Sequence, residues 1–437
     1  MCPLAEILHK EGYELSGSDN NETDTLARVR SLGIPVTLGQ RAENIAGAEL
    51  IVYTAAILPD NPELVAAKNS GIPTVERADL LGAITRLYSD CYCVCGTHGK
   101  TTVSSMLTQI MIQCGKDPST VIGGELPLIR SHGRVGETQN MVCEACEFKD
   151  HFLKLDPDIA IILNVDADHL EYFKNIENII KSFNRFAKMA NKAVIYNGDD
   201  ANTLKAVADV GGKDMITFGL DKSNDFYAEN VEMVNAFAHF DAYKKGEKIG
   251  SVKLKVPGKH NVTNALAALA AADYCGIPFD KAIASLEQFG GACRRFEILA
   301  KLNGITFADD YAHHPTELRV TLEAAMQMRY RKVWAVFQPF TYSRTKKLMD
   351  DFAEVLKIPD ECVMTEIMGS REVNTEGVYT SQLAAKIPGS VWFNTFDEVA
   401  DYVLAHAQSG DLVITLGCGD IYKAAKLMIK RLEEANT

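Results

Sequence analysis

The chain alternates short runs of β-branched and apolar residues with longer segments in which apolar residues recur every three or four positions. This rhythm predicts layered α/β structure. Helical spacing covers Leu4 to Glu11 and Thr23 to Leu32, with strands expected at Tyr13 to Gly17, around Val36 and at Leu50 to Tyr53. The chain opens in a helix with no strand before it, which is unusual for this architecture. A second stretch starts with a strand at Asp90 to Cys95, turns through glycines and enters a helix from Thr101. Strands follow at Met141 to Glu144, Ile159 to Val165 and Lys192 to Tyr196. From Met215 to Val256 alternation of period two dominates, as in Ala236-Phe237-Ala238-His239-Phe240, so a β-rich insertion is expected before an alanine-rich helix, Asn264 to Tyr274. Strands at Gly304 to Ala308, Val333 to Phe337, Glu361 to Thr365 and Leu412 to Leu416 mark a third unit beginning near Arg295. The expectation is three α/β domains, 1–88, 89–293 and 294–437.

The 437 residues carry a formal net charge of -13, which disfavours duplex nucleic acid as a partner because phosphate backbones attract basic surfaces. It leaves nucleotides open, since a few amides and one lysine hold a phosphate on an acidic protein. The 11 cysteines are spread over a long chain, unlike a secreted disulfide scaffold. Cys91, Cys93 and Cys95 share one side of a strand and read as small buried hydrophobes. Cys143 and Cys146 form a single C-x-x-C without a second pair at ligand spacing, and so read as free thiols in a reducing cytoplasm. Met1 to Asp19 lacks the basic start and apolar core of a secretory leader, and no run approaches 18 apolar residues, so a cytoplasmic protein with no membrane partner is expected.

The strongest chemical signal is Gly96-Thr97-His98-Gly99-Lys100-Thr101-Thr102, between a strand and a helix. Glycines let backbone amides approach phosphate oxygens, the lysine adds a mobile charge, and Thr101 can reach Mg²⁺, so a nucleoside triphosphate is the expected ligand. The general pattern would place glycine at position 94, where valine stands, so this is a shorter variant. Glu144-Ala-Cys-Glu147 and Asp166-Ala-Asp168-His169 end neighbouring strands and should converge near that loop, where parallel sheets bind ligands. Asn261 and Asn264 lead into the alanine-rich helix; an asparagine amide can pair with adenine, although either could simply be a cap. Paired arginines at 294–295, paired histidines at 313–314 and Arg344 after a turn complete the candidates.

Together with Ser16-Gly-Ser-Asp19, Thr54-Ala-Ala-Ile57, Asn61-Pro-Glu63, Asp310-Tyr-Ala-His-His-Pro-Thr-Glu317 and Gln338-Pro, these motifs make the whole chain resemble the Mur ligase family, which builds the peptide stem of peptidoglycan precursors. His98 within the phosphate loop and the His-His-Pro-Thr-Glu run resemble the alanine-adding member. The resemblance implies a Rossmann-like N-terminal domain, a central phosphate-loop ATPase-type parallel sheet and a C-terminal Rossmann-like α/β domain. It implies that ATP phosphorylates the carboxylate of UDP-N-acetylmuramate and that L-alanine attacks the acyl phosphate; a recycling ligase that attaches an intact tripeptide is the neighbouring reading. Lys100 would neutralise phosphate charge, Thr101 and Glu144 would hold Mg²⁺, and Glu144 with His169 a second ion. Arg295 would reach phosphate, Asn261 and Asn264 adenine, and Asp310 the ribose. Tyr311, His313 and Arg344 would form the L-alanine site, with Ser18 and Asp19 near the uridine. A monomer or weak homodimer is expected. Relatives open with a strand and a G-x-G-G-x-G-M loop for the pyrophosphate. This chain starts at that Met, so its N-terminal domain is expected to lack the first strand. Phe340 and Thr341 replace the usual His and Arg, which makes Arg344 the main carboxylate ligand.

Overall fold

The computed structural model describes residues 1–435 apart from Ala56, Arg371 and Glu376. The chain divides into two compact units. One comprises Met1–Val231, Phe240–Val252 and Val262–Phe289; the other comprises Glu232–His239, Lys253–Asn261 and the residues from Gly290 on.

The first unit is organised by a largely parallel sheet. Asp214–Gly219, Ala193–Asn197, Ile159–Ile162, Asp90–Cys95, Asn140–Glu144 and Ser119–Leu126 lie side by side in that order, and Ser131–Arg134 closes one edge antiparallel. The insertion strands Phe226–Val234, Phe237–Lys244 and Glu247–Pro257 extend the other edge. Asp90–Cys95 sits between Ile159–Ile162 and Asn140–Glu144 and is covered on both faces, which is why it reads as a continuous apolar run. Cys91, Cys93, Cys95 and Cys143 all lie in one hydrophobic core, as small buried side chains. Helix Ile176–Met189, capped by the Asn175 side chain on the Asn178 amide, presents Ile179, Phe183 and Phe186 to that core. There Phe186 stacks on Phe152 with ring centroids 4.7 Å apart.

The N-terminal segment carries two separate parallel ribbons, Gly17–Asp19 with Val36–Leu38 and Ile51–Tyr53 with Thr74–Glu76. Among the described residues no strand joins them. The strand expected at Tyr13 to Gly17 is displaced: pairing starts at Gly17 opposite Val36, and Tyr13 is solvent-exposed. The alanine-rich helix begins earlier than its composition suggests, at His260, and runs to Tyr274. Ala265 through Ala272 are all fully buried, so this helix is apolar around its whole circumference.

The second unit holds a six-stranded sheet in the order Glu297–Leu302, Ile305–Asp310, Leu412–Leu416, Val333–Phe337, Glu361–Thr365, Val391–Phe393. Its first pair is antiparallel and the rest are parallel. Helices cover both faces, with Leu318, Leu322 and Phe352 on one core and Val403, Ala425 and Met428 on the other. In a sheet of this kind, ligands meet the carboxyl ends of the strands, where Asp309, Asp310, Gln338 and Gly417 stand.

Candidate active site

The phosphate loop joins the end of strand Asp90–Cys95 to helix Lys100–Gln113. Gly99 precedes the helix with φ +87°, a conformation that favours glycine, and a Cβ there would stand 2.7 Å from Asn264 Oδ1, so any side chain would also have to move the asparagine. The loop is clamped by the end of strand Ile159–Ile162. Asn164 accepts the His98 amide N–H on Oδ1 at 2.8 Å and donates from Nδ2 to the His98 carbonyl oxygen at 3.0 Å. Asp166 donates its amide to Thr97 Oγ1 at 2.9 Å. The first amides of a 14-residue helix therefore face a rigid loop, the arrangement that binds phosphate.

Lys100 is anchored within this loop. Its Nζ donates to the carbonyl oxygens of Gly96 at 2.6 Å and Thr97 at 3.1 Å, and it pairs with Glu147 at 3.0 Å. Burial alone would lower its pKa, but Glu147, Cys146 and Glu144 together raise it, so the ammonium stays charged. The Thr101 hydroxyl donates to Glu144 Oε2 at 2.9 Å, and the Gly123 amide donates to the same oxygen at 2.7 Å. This hydroxyl–carboxylate pair beside the helix start supplies the hard oxygen ligands that suit Mg²⁺, which keeps several waters and phosphate oxygens for the rest of its shell. Among the described residues no three His, Cys, Asp or Glu side chains converge to hold an ion by themselves. His169 adopts φ +52° ahead of a short helix. Its ring lies 4.7 Å from that of Phe148, with Nε2 3.8 Å from Asp168 Oδ2. The second-ion role expected of His169 therefore rests on the resemblance alone. Thr102 continues the helix half-buried.

Asn264 packs over Gly99 at the loop, whereas Asn261 turns its amide onto the Pro257 carbonyl at 2.7 Å. Both are buried. Ser18 donates to Glu63 Oε1 at 2.8 Å, so two of the N-terminal motifs meet, and Asp19 accepts the Asn21 amide at 3.0 Å. Ala56 of the Thr54–Ile57 motif lies outside the described residues. A cavity of about 550 Å³ opens at the N-terminal end of helix Cys2–Lys10, and its lining includes Arg28, Arg77, Arg130 and His132 beside Gly123 and Ser131. Arg28 is tied to Glu6, while Arg77 makes no side-chain hydrogen bond among the described residues.

In the second unit both paired arginines lie against the Tyr311 ring, at 5.0 and 5.5 Å, but they differ in their other partners. Arg294 Nε donates to buried Asp309 at 2.8 Å and its terminal nitrogen to the Gly417 carbonyl at 2.7 Å, which commits it to the frame. Arg295 lies over the Tyr311 ring at 5.5 Å; its amide donates to the Ala292 carbonyl oxygen at 3.2 Å, and its guanidinium donates no hydrogen bond among the described residues. The residues on either side of Arg295 hold left-handed backbone, φ +60° at Arg294 and +49° at Phe296, the kind of strain that collects at functional sites. Asp310 holds this bend: its oxygens accept the Phe296 and Ala312 amides, each at 2.7 Å. Burial pushes its carboxyl up to about 6, with Arg295 and the two amides pulling the other way. Asp310 is thus buried and holds two backbone amides, and the ribose contact expected of it rests on the resemblance alone. Tyr311 and His313 pack edge-to-face at 5.5 Å. His314 instead caps helix Pro315–Gln327. Arg344 has a buried guanidinium nitrogen with no hydrogen-bond partner among the described residues. That orphan donor fits a carboxylate or phosphate oxygen, since an unpaired buried charge is costly.

Three family models match in succession: the Mur ligase family catalytic domain over residues 1–89, the Mur ligase middle domain over 94–272 and the Mur ligase glutamate ligase domain over 294–419. UDP-N-acetylmuramate–L-alanine ligase of Acetivibrio thermocellus is 42% identical, covering 98% of this chain and 93% of its own length. The protein of the same name from Agathobacter rectalis is 43% identical, covering 99% and 95%. The chain belongs to the Mur ligase family. Among solved structures, UDP-N-acetylmuramate–alanine ligase of Thermotoga maritima superposes with a TM-score of 0.85 at 27% identity, covering 99% of this chain and 97% of that one. A murein peptide ligase of Psychrobacter arcticus shares the fold at a TM-score of 0.75 and 24% identity, covering 98% and 96%. No helix of this Mur ligase, among the described residues, is long and apolar enough to cross a membrane.

Several residues of this Mur ligase's site escaped the linear motifs. Asn164 has a recognisable position, at the end of an apolar strand two residues before Asp166. The basic lining of the N-terminal cavity is drawn from positions as far apart as Arg28 and His132, and has no local signal at all.

Proposed function

We propose that the protein is an ATP-dependent ligase that joins L-alanine to the carboxylate of UDP-N-acetylmuramate through an acyl phosphate. The carrying observation is a complete phosphate loop, with the Thr101–Glu144 pair at its helix start, in a chain 42% identical over nearly its full length to a relative of that name. Segment 1–88 takes the UDP substrate, 89–293 ATP and 294–437 the amino acid. The basic cavity at helix Cys2–Lys10 suits a diphosphate, because a helix N-terminus and several guanidinium groups both favour anions. Ser18 and Asp19 serve the uridine end.

ATP lies on the loop amides of Gly96, Thr97, His98 and Gly99, with Asn264 and Asn261 toward the base. Mg²⁺, when bound by Thr101 and Glu144, neutralises charge on the transferring phosphoryl group. Lys100 exchanges Glu147 for the β- and γ-phosphate oxygens. The muramoyl carboxylate attacks the γ-phosphorus and ADP leaves; the amine of L-alanine then attacks the acyl carbon, the acyl C–O bond breaks with loss of phosphate, and the nitrogen gives up a proton to leave the amide. Arg344 takes the alanine carboxylate, Arg295 the acyl-phosphate oxygens, and Tyr311 and His313 frame the amine. Such chemistry depends on positioning and charge neutralisation.

Phosphate release from ATP, measured with UDP-N-acetylmuramate in the presence and absence of L-alanine, tests this reading. Alanine-dependent release with formation of the UDP-linked amide is the expected result. Release that depends on an intact tripeptide and not on L-alanine would replace this reading with the recycling reaction, and no release with either would overturn the assignment.

A further inference from the structure

Among the described residues, His313 is held at one ring nitrogen only. Nδ1 lies 3.1 Å from the Tyr311 carbonyl oxygen and 3.3 Å from Glu317 Oε2. Both neighbours are acceptors, so the proton of the neutral ring must sit on Nδ1, leaving the lone pair on Nε2. Glu317 Oε2 also accepts the His313 backbone amide at 3.1 Å, so one carboxylate oxygen fixes both the main chain and the ring. The Tyr311 ring packs edge-on against the imidazole and limits its rotation. Glu317 itself is set by its place in the first turn of helix Pro315–Gln327, where a carboxylate is favoured by the helix amides.

We infer that Glu317 is a positioning residue that holds His313 in the Nδ1–H form, so that His313 Nε2 serves as the general base for the attacking amine. This rests on the ligase reading above and assigns Glu317 a part in it. As the neutral amine's lone pair forms the C–N bond, the nitrogen becomes cationic and one of its protons passes to Nε2. The C–O bond to phosphate breaks with its electron pair on the leaving oxygen, and the imidazolium returns its proton to that phosphate. The products are an amide and hydrogen phosphate, with His313 restored.

The charged groups around the ring suit this cycle. Burial lowers the His313 pKa, Glu317 raises it, and Arg344 and Arg295 lower it, with the net direction downward. The ring is therefore neutral and basic at neutral pH, and the transient imidazolium gains the carboxylate beside it. The alternative is that Glu317 is only an acidic residue of a helix's first turn.

The test compares native protein with Glu317→Gln, Glu317→Asp and His313→Gln. Glu317→Gln should lower kcat at least ~10-fold, part of the ~10²–10⁴-fold expected on removing the base itself in His313→Gln. The KM for L-alanine should change less. Because a neutral amide no longer raises the imidazole pKa, the acidic limb of log kcat against pH should shift to lower pH in Glu317→Gln. Glu317→Asp should restore part of kcat and move the limb back. In ¹⁵N-histidine-labelled protein, with His313→Gln used for assignment, native His313 should show the Nδ1–H form, and Glu317→Gln should lose its dominance. A native kcat and an unmoved limb in Glu317→Gln, or an Nε2–H ring in native protein, would overturn the inference. If native protein releases no phosphate in response to L-alanine, the ligase reading fails, and with it the base role. The ring spectrum then still decides whether Glu317 sets the tautomer.

Discussion

Asn164 grips His98 by both of its backbone groups, accepting the amide at 2.8 Å and donating to the carbonyl oxygen at 3.0 Å. The side chain of one strand end thereby fixes the shape of a loop sixty-six residues earlier in the chain. Each such bond contributes about 1 kcal/mol. Asn164→Ala should therefore raise the KM for ATP roughly ten- to thirtyfold while every residue of the loop motif stays in place. Steady-state phosphate release at varied ATP measures this, and an unchanged KM would show that the clamp is idle.

Lys100 and Glu147 form a nearly buried ion pair. Replacing the lysine alone leaves a carboxylate of 3% exposure without its cation, a loss of about 3–5 kcal/mol. Lys100→Met should accordingly lower kcat by at least ~10²-fold and also lower the melting temperature. Lys100→Met combined with Glu147→Gln should recover much of the thermal stability and none of the activity. Calorimetric melting beside the turnover assay separates the two effects.

Arg77 lines the N-terminal cavity without a side-chain hydrogen bond of its own among the described residues. Arg77→Ala should weaken UDP-N-acetylmuramate binding about tenfold, the loss of one charge-assisted contact. ATP binding should be unaffected. Isothermal titration with each nucleotide, repeated at higher salt where screening reduces the difference, checks the assignment of this cavity.

Asp310 carries a pH signature. Its folded pKa, raised to about 6 chiefly by burial, lies above the ordinary aspartate value of 3.8. The folded state thus binds more protons than the unfolded state between those values, and stability falls as pH rises through that window. Relative to Asp310→Asn, the native protein should lose up to about 3 kcal/mol between pH ~4 and ~6 and remain level above it. Urea denaturation of both proteins at pH 5 and pH 7.5 measures the change. A constant difference would show that the carboxyl titrates normally.

Contiguous chemistry was readable in advance. The phosphate loop and the Glu144 strand end were legible because strand, turn and helix follow one another along the chain and each carries its own pattern. Position 99 favours glycine for a reason the sequence hides, a φ of +87° with Asn264 Oδ1 2.7 Å from where a Cβ would stand. Paired residues divide in a consistent way. Arg294 and Arg295, like His313 and His314, look equivalent on paper, yet their polar partners differ. One of each pair went into the frame: Arg294 onto Asp309, His314 onto its own helix. The strand expected at Tyr13 to Gly17 failed because two short ribbons, each with a single partner strand, leave their register to pairing rather than to composition. Asn164 and the basic cavity needed the fold, since their partners are brought together only by the sheet.

The lysine of the loop already has an anion. With Glu147 seated 3.0 Å from its ammonium, an incoming nucleotide gains only the difference between two ion pairs. On the ligase reading proposed above, selectivity depends on outcompeting an internal rival: a triphosphate presents more charge with which to displace Glu147 than a species with fewer phosphates. On the same reading, the carboxylate that steadies the loop favours product departure by reclaiming the lysine once the γ-phosphate has moved on.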